Sequence, residues 1–208
     1  MYTAFDSADT ANSILRCQFN KSGRQIKKLP LNGVIRGENK VVLSFEYTNA
    51  FELEDIYITG DFAVDGNGVI IKEPKELRFG DWTLQGYPNY PGAIEYMMSF
   101  ESGGEEADIV LGEWRGILAA VTVNGSKSVL ISNSGSTVHA MLKSGKNDVS
   151  IEIVGSNRNI FGPLHNRYTG RCRISWEDFR TEGADMSERE VLEPCGLMGQ
   201  VKVLKARE

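Results

Sequence analysis

Only three cysteines and two histidines occur in the 208 residues of this chain. Cys17, Cys172 and Cys195 are far apart and odd in number, which excludes a disulfide framework and a zinc site of closely paired ligands, and buried or idle thiols are expected instead. With His139 and His165 as the sole imidazoles, bases for a nucleophilic triad are scarce, and the glycine–serine pairs read as turns, not as a nucleophile elbow. No apolar run approaches the roughly 20 residues that cross a bilayer. The first residues, Met1 to Asp6, lack the basic and apolar regions of a secretion signal. The compartment is left open: the chain either stays in the cytoplasm or is a piece of a longer protein whose signal lies elsewhere. Basic charge is also in short supply. Lys and Arg total 23 against 28 Asp and Glu, a net charge of −5, whereas binding to a phosphate backbone rests on a concentrated basic surface. Neither nucleic acid nor a membrane is an expected partner.

Sustained helical periodicity is missing as well, and alternation with a period of two takes its place. Val41, Leu43, Phe45 and Tyr47 point one way along one segment, and Val149, Ile151 and Ile153 share a face along another. Further strands are expected at Asp55–Thr59, Gly68–Lys72, Ala93–Glu101, Ala107–Leu111, Gly116–Val123, Lys127–Ser132, Arg171–Trp176 and Gly199–Leu204. Short helical turns are expected only at Ser175–Phe179 and Ser187–Glu190. Asn124-Gly125 between two apolar runs is the strongest local hairpin signal. Glycine supplies 22 of 208 residues, above the usual figure of about 7%, as many short strands and tight turns require. Hydrophobic residues at 41% and charged residues at 25% describe a soluble globular protein.

One motif occurs twice. Arg16 to Gly23 followed by Gly37-Glu38-Asn39-Lys40-Val41-Val42-Leu43 returns as Ala120 to Lys127 followed by Gly145-Lys146-Asn147-Asp148-Val149-Ser150-Ile151. A looser echo links Gly60 to Val64 with Glu177 to Thr181, and Ile71 to Pro74 with Val191 to Pro194. Two copies of one β-rich unit are implied, with Gly37-Glu38-Asn39 and Gly145-Lys146-Asn147 as matching corners. The copies are unequal, because nothing before the first corresponds to Trp82–Trp114. The expected fold is an all-β antiparallel β-sandwich over residues 77–208, preceded by a partial copy of the same unit over residues 1–76. A sandwich short of strands leaves open edges, so Met1 is read as the edge of a trimmed domain.

Several stretches together resemble the accessory galactose-binding-like jelly rolls that flank catalytic barrels in large bacterial glycoside hydrolases, in particular family 2-type and α-rhamnosidase-like enzymes. They are Leu53–Phe62, Gly80-Asp81-Trp82 with Gly86–Gly92, Val121–Gly125, Leu142–Asn147, Asn159–His165 and Pro194–Leu197. The resemblance implies structural roles for the Val-Asn-Gly hairpin and the Gly-x-Asn strand. It carries over no catalytic carboxylates, since those belong to the barrel. An appendage is implied, one that binds sugar or braces its neighbour.

Sugar sites combine flat apolar surfaces for pyranose C–H faces with hydrogen-bonding side chains for hydroxyls. Two stretches offer both. The segment from Trp82 to Tyr90 could present Tyr87 and Tyr90 beside Trp82, unless Trp82 plugs the end of the sandwich. The loop from Ser156 to Tyr168 carries Arg158, Asn159, His165 and Arg167 around Phe161-Gly162-Pro163, unless these merely tie down a surface loop. Trp114 joins the candidates, although burial is the expectation for it and for Trp176. Glu95, Glu101, Glu113, Glu177 and Asp178 are available carboxylates, but none stands in a motif that fixes the facing pair a glycosidase needs. No cofactor is expected. A structural calcium ion could be held by Asp61, Asp65, Asn67, Asp178 and Glu182, which are oxygen donors in loop-like places. The sequence thus points to a non-catalytic carbohydrate-binding module of a glycoside hydrolase, with a saccharide and an adjacent catalytic domain as partners. A ligand-free β-sandwich spacer and a stand-alone glycosidase are the alternatives.

Overall fold

The computed structural model describes residues 30–44, 56–126, 137–167, 174–179 and 181–205, and the backbone of 13–18 and 129–131. The chain divides into two compact units, Met1–Phe62 and Ala63–Glu208. In the first, β1 (Ser13–Gln18) runs parallel to β2 (Asn39–Ser44), with Ser13 opposite Asn39 and Gln18 opposite Ser44. The second unit holds eleven strands: β3 (Ala63–Val64), β4 (Ile70–Ile71), β5 (Ala93–Gly103), β6 (Glu106–Val110), β7 (Trp114–Arg115), β8 (Leu118–Val123), β9 (Val129–Ile131), β10 (Thr137–Met141), β11 (Ser144–Val154), β12 (Gly196–Leu197) and β13 (Lys202–Lys205). The ribbon β3–β4, which a sequence boundary at 76/77 assigns to the first unit, packs with the second. Ala63 is fully buried and the Val64 amide donates to Gly86 O.

The fold is all-β, as expected. One sheet has the order β5-β11-β8-β9 and another the order β10-β6-β13, both antiparallel throughout. A common core fills the space between them: Tyr96, Val121, Val149, Ile151 and Ile153 come from the first sheet and Ala107, Ile109 and Val138 from the second. Alternation explains this layering. Along β11, Val149, Ile151 and Ile153 are buried while Asp148 and Glu152 are exposed, since successive side chains leave opposite faces. In β2 the alternation is blunted, because Val42 and Leu43 are both half-buried and Val41 is exposed. Phe45 and Tyr47 lie outside the described residues.

The repeated corner is real at atomic level. Asn147 is fully buried; its Oδ1 accepts from the Lys143 amide at 2.8 Å, and its Nδ2 donates to Lys143 O at 2.9 Å and Gly145 O at 2.8 Å. Asn39 makes the same three bonds one unit earlier, to Ile35 N, Ile35 O and Gly37 O at 3.0, 2.8 and 3.0 Å. Gly37 and Gly145 both stand at positive φ, 114° and 94°, a conformation that glycine alone adopts cheaply. The strands beyond the corners pair differently: β1 is parallel to β2, while β8 is antiparallel to β11. Asn124 and Gly125 take φ values of 51° and 73°, and the Ser126 amide closes the turn on Val123 O at 2.8 Å, as the hairpin signal requires. Asn124 also reaches the second corner, its Nδ2 donating to Asn147 Oδ1 at 2.8 Å.

Other expectations need correction. Residues 56–59 form no strand, and Ser187–Glu190 forms no helical turn because the Ser187 amide donates instead to His165 O. The strand expected at Arg171–Trp176 gives way at its described end to a 3₁₀ turn, Trp176–Asp178, opened by a capping box between Ser175 and Asp178. A 3₁₀ turn at Trp82–Gln85, one α-helical turn at Arg158–Phe161 and strand β10 were not anticipated. Among the described residues no helix is long and apolar enough to cross a membrane. Replacing Asn147 by Ala strands several buried main-chain groups and should lower unfolding free energy by about 3 kcal/mol. Denaturant titration checks this, and a loss under about 0.5 kcal/mol would show that the corner forms without its side chain.

Candidate functional site

The segment that leads into the sandwich is locked to the segment that leaves it. Asp81 Oδ1 caps the 3₁₀ turn by accepting from the Thr83 amide at 2.9 Å, and accepts the Cys195 amide at 3.1 Å as well. Gly80 N and Trp82 N donate to Leu197 O and Cys195 O, each at 2.8 Å. Trp82 is thereby driven into the core, with 1% of its surface exposed. Its ring offers no face to a ligand. Tyr90 packs edge-on against Trp82 with ring centroids 6.3 Å apart, keeps 40% of its surface exposed, and donates its hydroxyl to Ala93 O at 3.3 Å. Tyr87 stands between them and Glu73: it meets Tyr90 edge-on at 5.7 Å and donates to Glu73 Oε1 at 3.1 Å. Burial, then the bond to Glu73, pushes its phenol up to about 12.

A cleft of about 480 Å³ opens beside Tyr90, at the end of the larger sheet where β5 and β8 begin and β11 finishes. Gly116 and Gly155 make this possible. A Cβ on Gly116 would meet Val154 O at 2.5 Å, and one on Gly155 would meet Gly92 O at 3.0 Å and the Trp82 ring at 3.1 Å. The walls combine Tyr90, Trp114, Ile117 and Pro194 with the polar Arg115, Ser156, Asn159 and Glu193. Trp114 is 6% exposed and pairs through β7 with Leu197 of β12. Arg115 is held at the rim by an exposed ion pair with Glu113 at 3.1 Å.

Asn159 does not face a ligand as a free amide. It clasps the main chain of Glu193, with Nδ2 donating to Glu193 O at 2.9 Å and Oδ1 accepting from Glu193 N at 2.8 Å. The clasp fixes where Glu193 and Pro194 stand in the wall. Cys195, beneath them, is buried and donates Sγ–H to Arg115 O at 3.3 Å. Desolvation, opposed by backbone bonds, raises its thiol to about 11.

Of the eight side chains singled out in the sequence, the cleft therefore gathers Tyr90, Trp114 and Asn159. The remaining members of the polar loop lie outside the cleft lining. Arg158 Nη2 donates to Pro163 O at 3.2 Å, and its Nη1 is buried without an acceptor among the described residues. His165 is exposed, with Nδ1 2.9 Å from Ser187 O, and exposed Arg167 is tied through its amide to Asp185 O. The tryptophan expectation holds for Trp114 and fails for Trp176, which is 83% exposed because it sits on a short turn pinned by the Ser175–Asp178 capping box. Arg115 and Glu193 carry no sequence signal of a site, whereas Ser156 opens the polar loop. The oxygen donors considered for calcium are used otherwise or dispersed. Asp65 Oδ1 accepts from the Asn67 and Val69 amides, bonds that lower its pKa, and Asp178 Oδ2 accepts from the Ser175 amide. Among the described residues no three or more His, Cys, Asp or Glu side chains gather to hold a metal.

No family model and no curated protein matches this chain. Among solved structures it is similar to a rhamnosidase from Novosphingobium sp. PP1Y, with 24% identity and a TM-score of 0.40 over 57% of this chain. The match spans 11% of that protein's length.

The raised thiol gives a pH signature. Folding lifts the Cys195 pKa from 9.0 to about 11, so on raising the pH the unfolded chain ionises first. Its contribution is intact below about pH 9 and declines from there through about pH 11. Denaturation midpoints measured across that window should fall more steeply for the native chain than for Cys195→Ala, and parallel curves would contradict the buried placement.

Proposed function

We propose that the second unit is a non-catalytic carbohydrate-binding module, with the cleft beside Tyr90 as its saccharide site. The observation that carries the reading is the composition of that cleft: a half-exposed aromatic ring, a few apolar residues, and the polar Ser156, Arg115 and Glu193 in the same lining. A pyranose site combines groups of both kinds. Its volume of about 480 Å³ lies within the range for small-molecule sites, roughly 300 to 1,000 Å³. The sequence likeness to accessory jelly rolls of glycoside hydrolases supports the same reading, with a catalytic domain elsewhere as partner. Binding is preferred over turnover because the cleft wall supplies one carboxylate among the described residues, Glu193, where both hydrolytic mechanisms employ two facing ones.

Calorimetric titration of the whole chain with cellohexaose, xylohexaose, mannohexaose and galactan fragments tests this. At least one should bind saturably, and Tyr90→Ala should weaken it roughly tenfold, the scale of one lost aromatic stacking surface. Silence across the panel would leave the spacer reading, and turnover of an aryl glycoside by the purified chain would replace both with an enzyme.

A further inference from the structure

Asparagine is followed by glycine at three places in this chain: Asn32-Gly33, Asn67-Gly68 and Asn124-Gly125. In such a pair the Gly amide nitrogen can attack the Asn side-chain carbonyl, because glycine has no Cβ to crowd the approach. A bond forms between that nitrogen and Cγ, the Cγ–Nδ2 bond breaks, and ammonia leaves with the amide proton. Water then opens the cyclic imide at either carbonyl, which yields aspartate or isoaspartate. With glycine next in every pair, the surroundings decide the rate, and here they differ. Asn124 is tied at both ends of its amide: Nδ2 donates to Asn147 Oδ1 at 2.8 Å, and Oδ1 accepts from the Asp148 amide at 3.0 Å. Asn67 is exposed, but its turn is held: the Gly68 amide donates to Asp65 O at 3.0 Å, and the Asn67 and Val69 amides donate to Asp65 Oδ1. Asn32 is exposed, and among the described residues neither its side chain nor the Gly33 amide has a hydrogen-bond partner.

We propose that Asn32 is a site of spontaneous modification, converting to aspartate and isoaspartate in the folded chain, and that the two side-chain bonds of Asn124 shield the hairpin from the same reaction. At Asn124 both bonds must break before Cγ can turn to meet the Gly125 nitrogen. Conversion there would also replace the Nδ2 donor by a carboxylate oxygen facing Asn147 Oδ1, at the buried corner that Asn147 holds. At Asn32 nothing comparable stands in the way. Gly33 lies in open space, with no atom within 4 Å of where its Cβ would stand. An isoaspartate at this position lengthens the main chain by one methylene, just before Ile35, whose amide and carbonyl are the groups that Asn39 grips in the first corner. The reaction uses only water and the chain itself, so it is independent of any ligand of the cleft.

Incubation of the whole chain in warm, mildly alkaline buffer, followed by peptide mapping with mass spectrometry, reads all three sites in one sample. Asn32 should convert first and Asn67 more slowly. Asn124 should lag Asn32 roughly tenfold, the scale set by opening two hydrogen bonds before the attack. The same incubation in concentrated urea removes the folded surroundings, and there the three rates should converge. Replacing Asn32 by Gln, whose longer side chain closes the ring poorly, should abolish the earliest acidic species on ion exchange and leave the circular dichroism unchanged. Equal rates at Asn124 and Asn32 in the folded chain would overturn the proposal. So would an order of rates that persists unaltered in urea, since local sequence and not structure would then set it.

Discussion

The architecture of the second unit hangs on one carboxylate. Asp81 accepts amides from Thr83, two residues on, and from Cys195, on the last stretch of the chain before the closing strands. That double acceptance does three things at once. It caps the 3₁₀ turn, it joins Gly80–Trp82 to Cys195–Leu197 as a short ladder, and it aims Trp82 between the sheets. Charge-assisted bonds to main-chain amides are stronger than neutral ones, and this one closes a very long loop. Tyr96 responds to the same closure: its hydroxyl accepts the Leu197 amide at 3.3 Å, and burial raises its pKa.

Once Trp82 is seated, the cleft follows from backbone contact. Gly116 and Gly155 let the starts of β5 and β8 and the end of β11 approach closely, as the Gly155 amide bond to Gly92 O at 2.8 Å records, while a Cβ on Gly92 would meet the Tyr90 ring. Gly112 and Gly199 meet in the same way on the neighbouring side, with Gly199 N donating to Glu113 O. Crowded glycines at one end of a sandwich leave a hollow that larger residues must line. Tyr90 and the wall of Glu193 and Pro194 occupy that position, the latter held by the Asn159 clasp.

How much of this was legible follows from the range of each interaction. The Asn-Gly hairpin and the Gly-x-Asn corners are local, with partners within four residues, and the sequence shows them. The alternation of β11 is visible because one face is buried and the other wet. Strand β10 was missed: its segment, Thr-Val-His-Ala-Met, is short and mixed, and its pairing with β6 is settled by register and not by propensity. The clasp made by Asn159 is not legible, since a side chain that holds Glu193 across 34 residues looks, in sequence, the same as one that is free. Trp176 was misplaced because a tryptophan is usually buried, and only the capping box that holds it outward tells otherwise.

Among the described residues, the groups with shifted pKa values trace the assembly of the fold. Acid–base catalysis works by placing titratable groups in environments that drive their pKa values apart while they face one reacting bond. Here the large shifts belong to Cys195 and Tyr87, and in both the leading cause is burial. Cys195 lies under the Asp81 ladder, and Tyr87 packs beside Tyr90, so each shift is a by-product of closing the sandwich around Trp82. Asp148 is lowered by its bond from Ser99 and by Lys146, on the exposed face of the larger sheet and far along β11 from the cleft. Electrostatic strain is thus spent where the fold is assembled. Tyr90 and Trp176 are left 40% and 83% exposed at the surface that results.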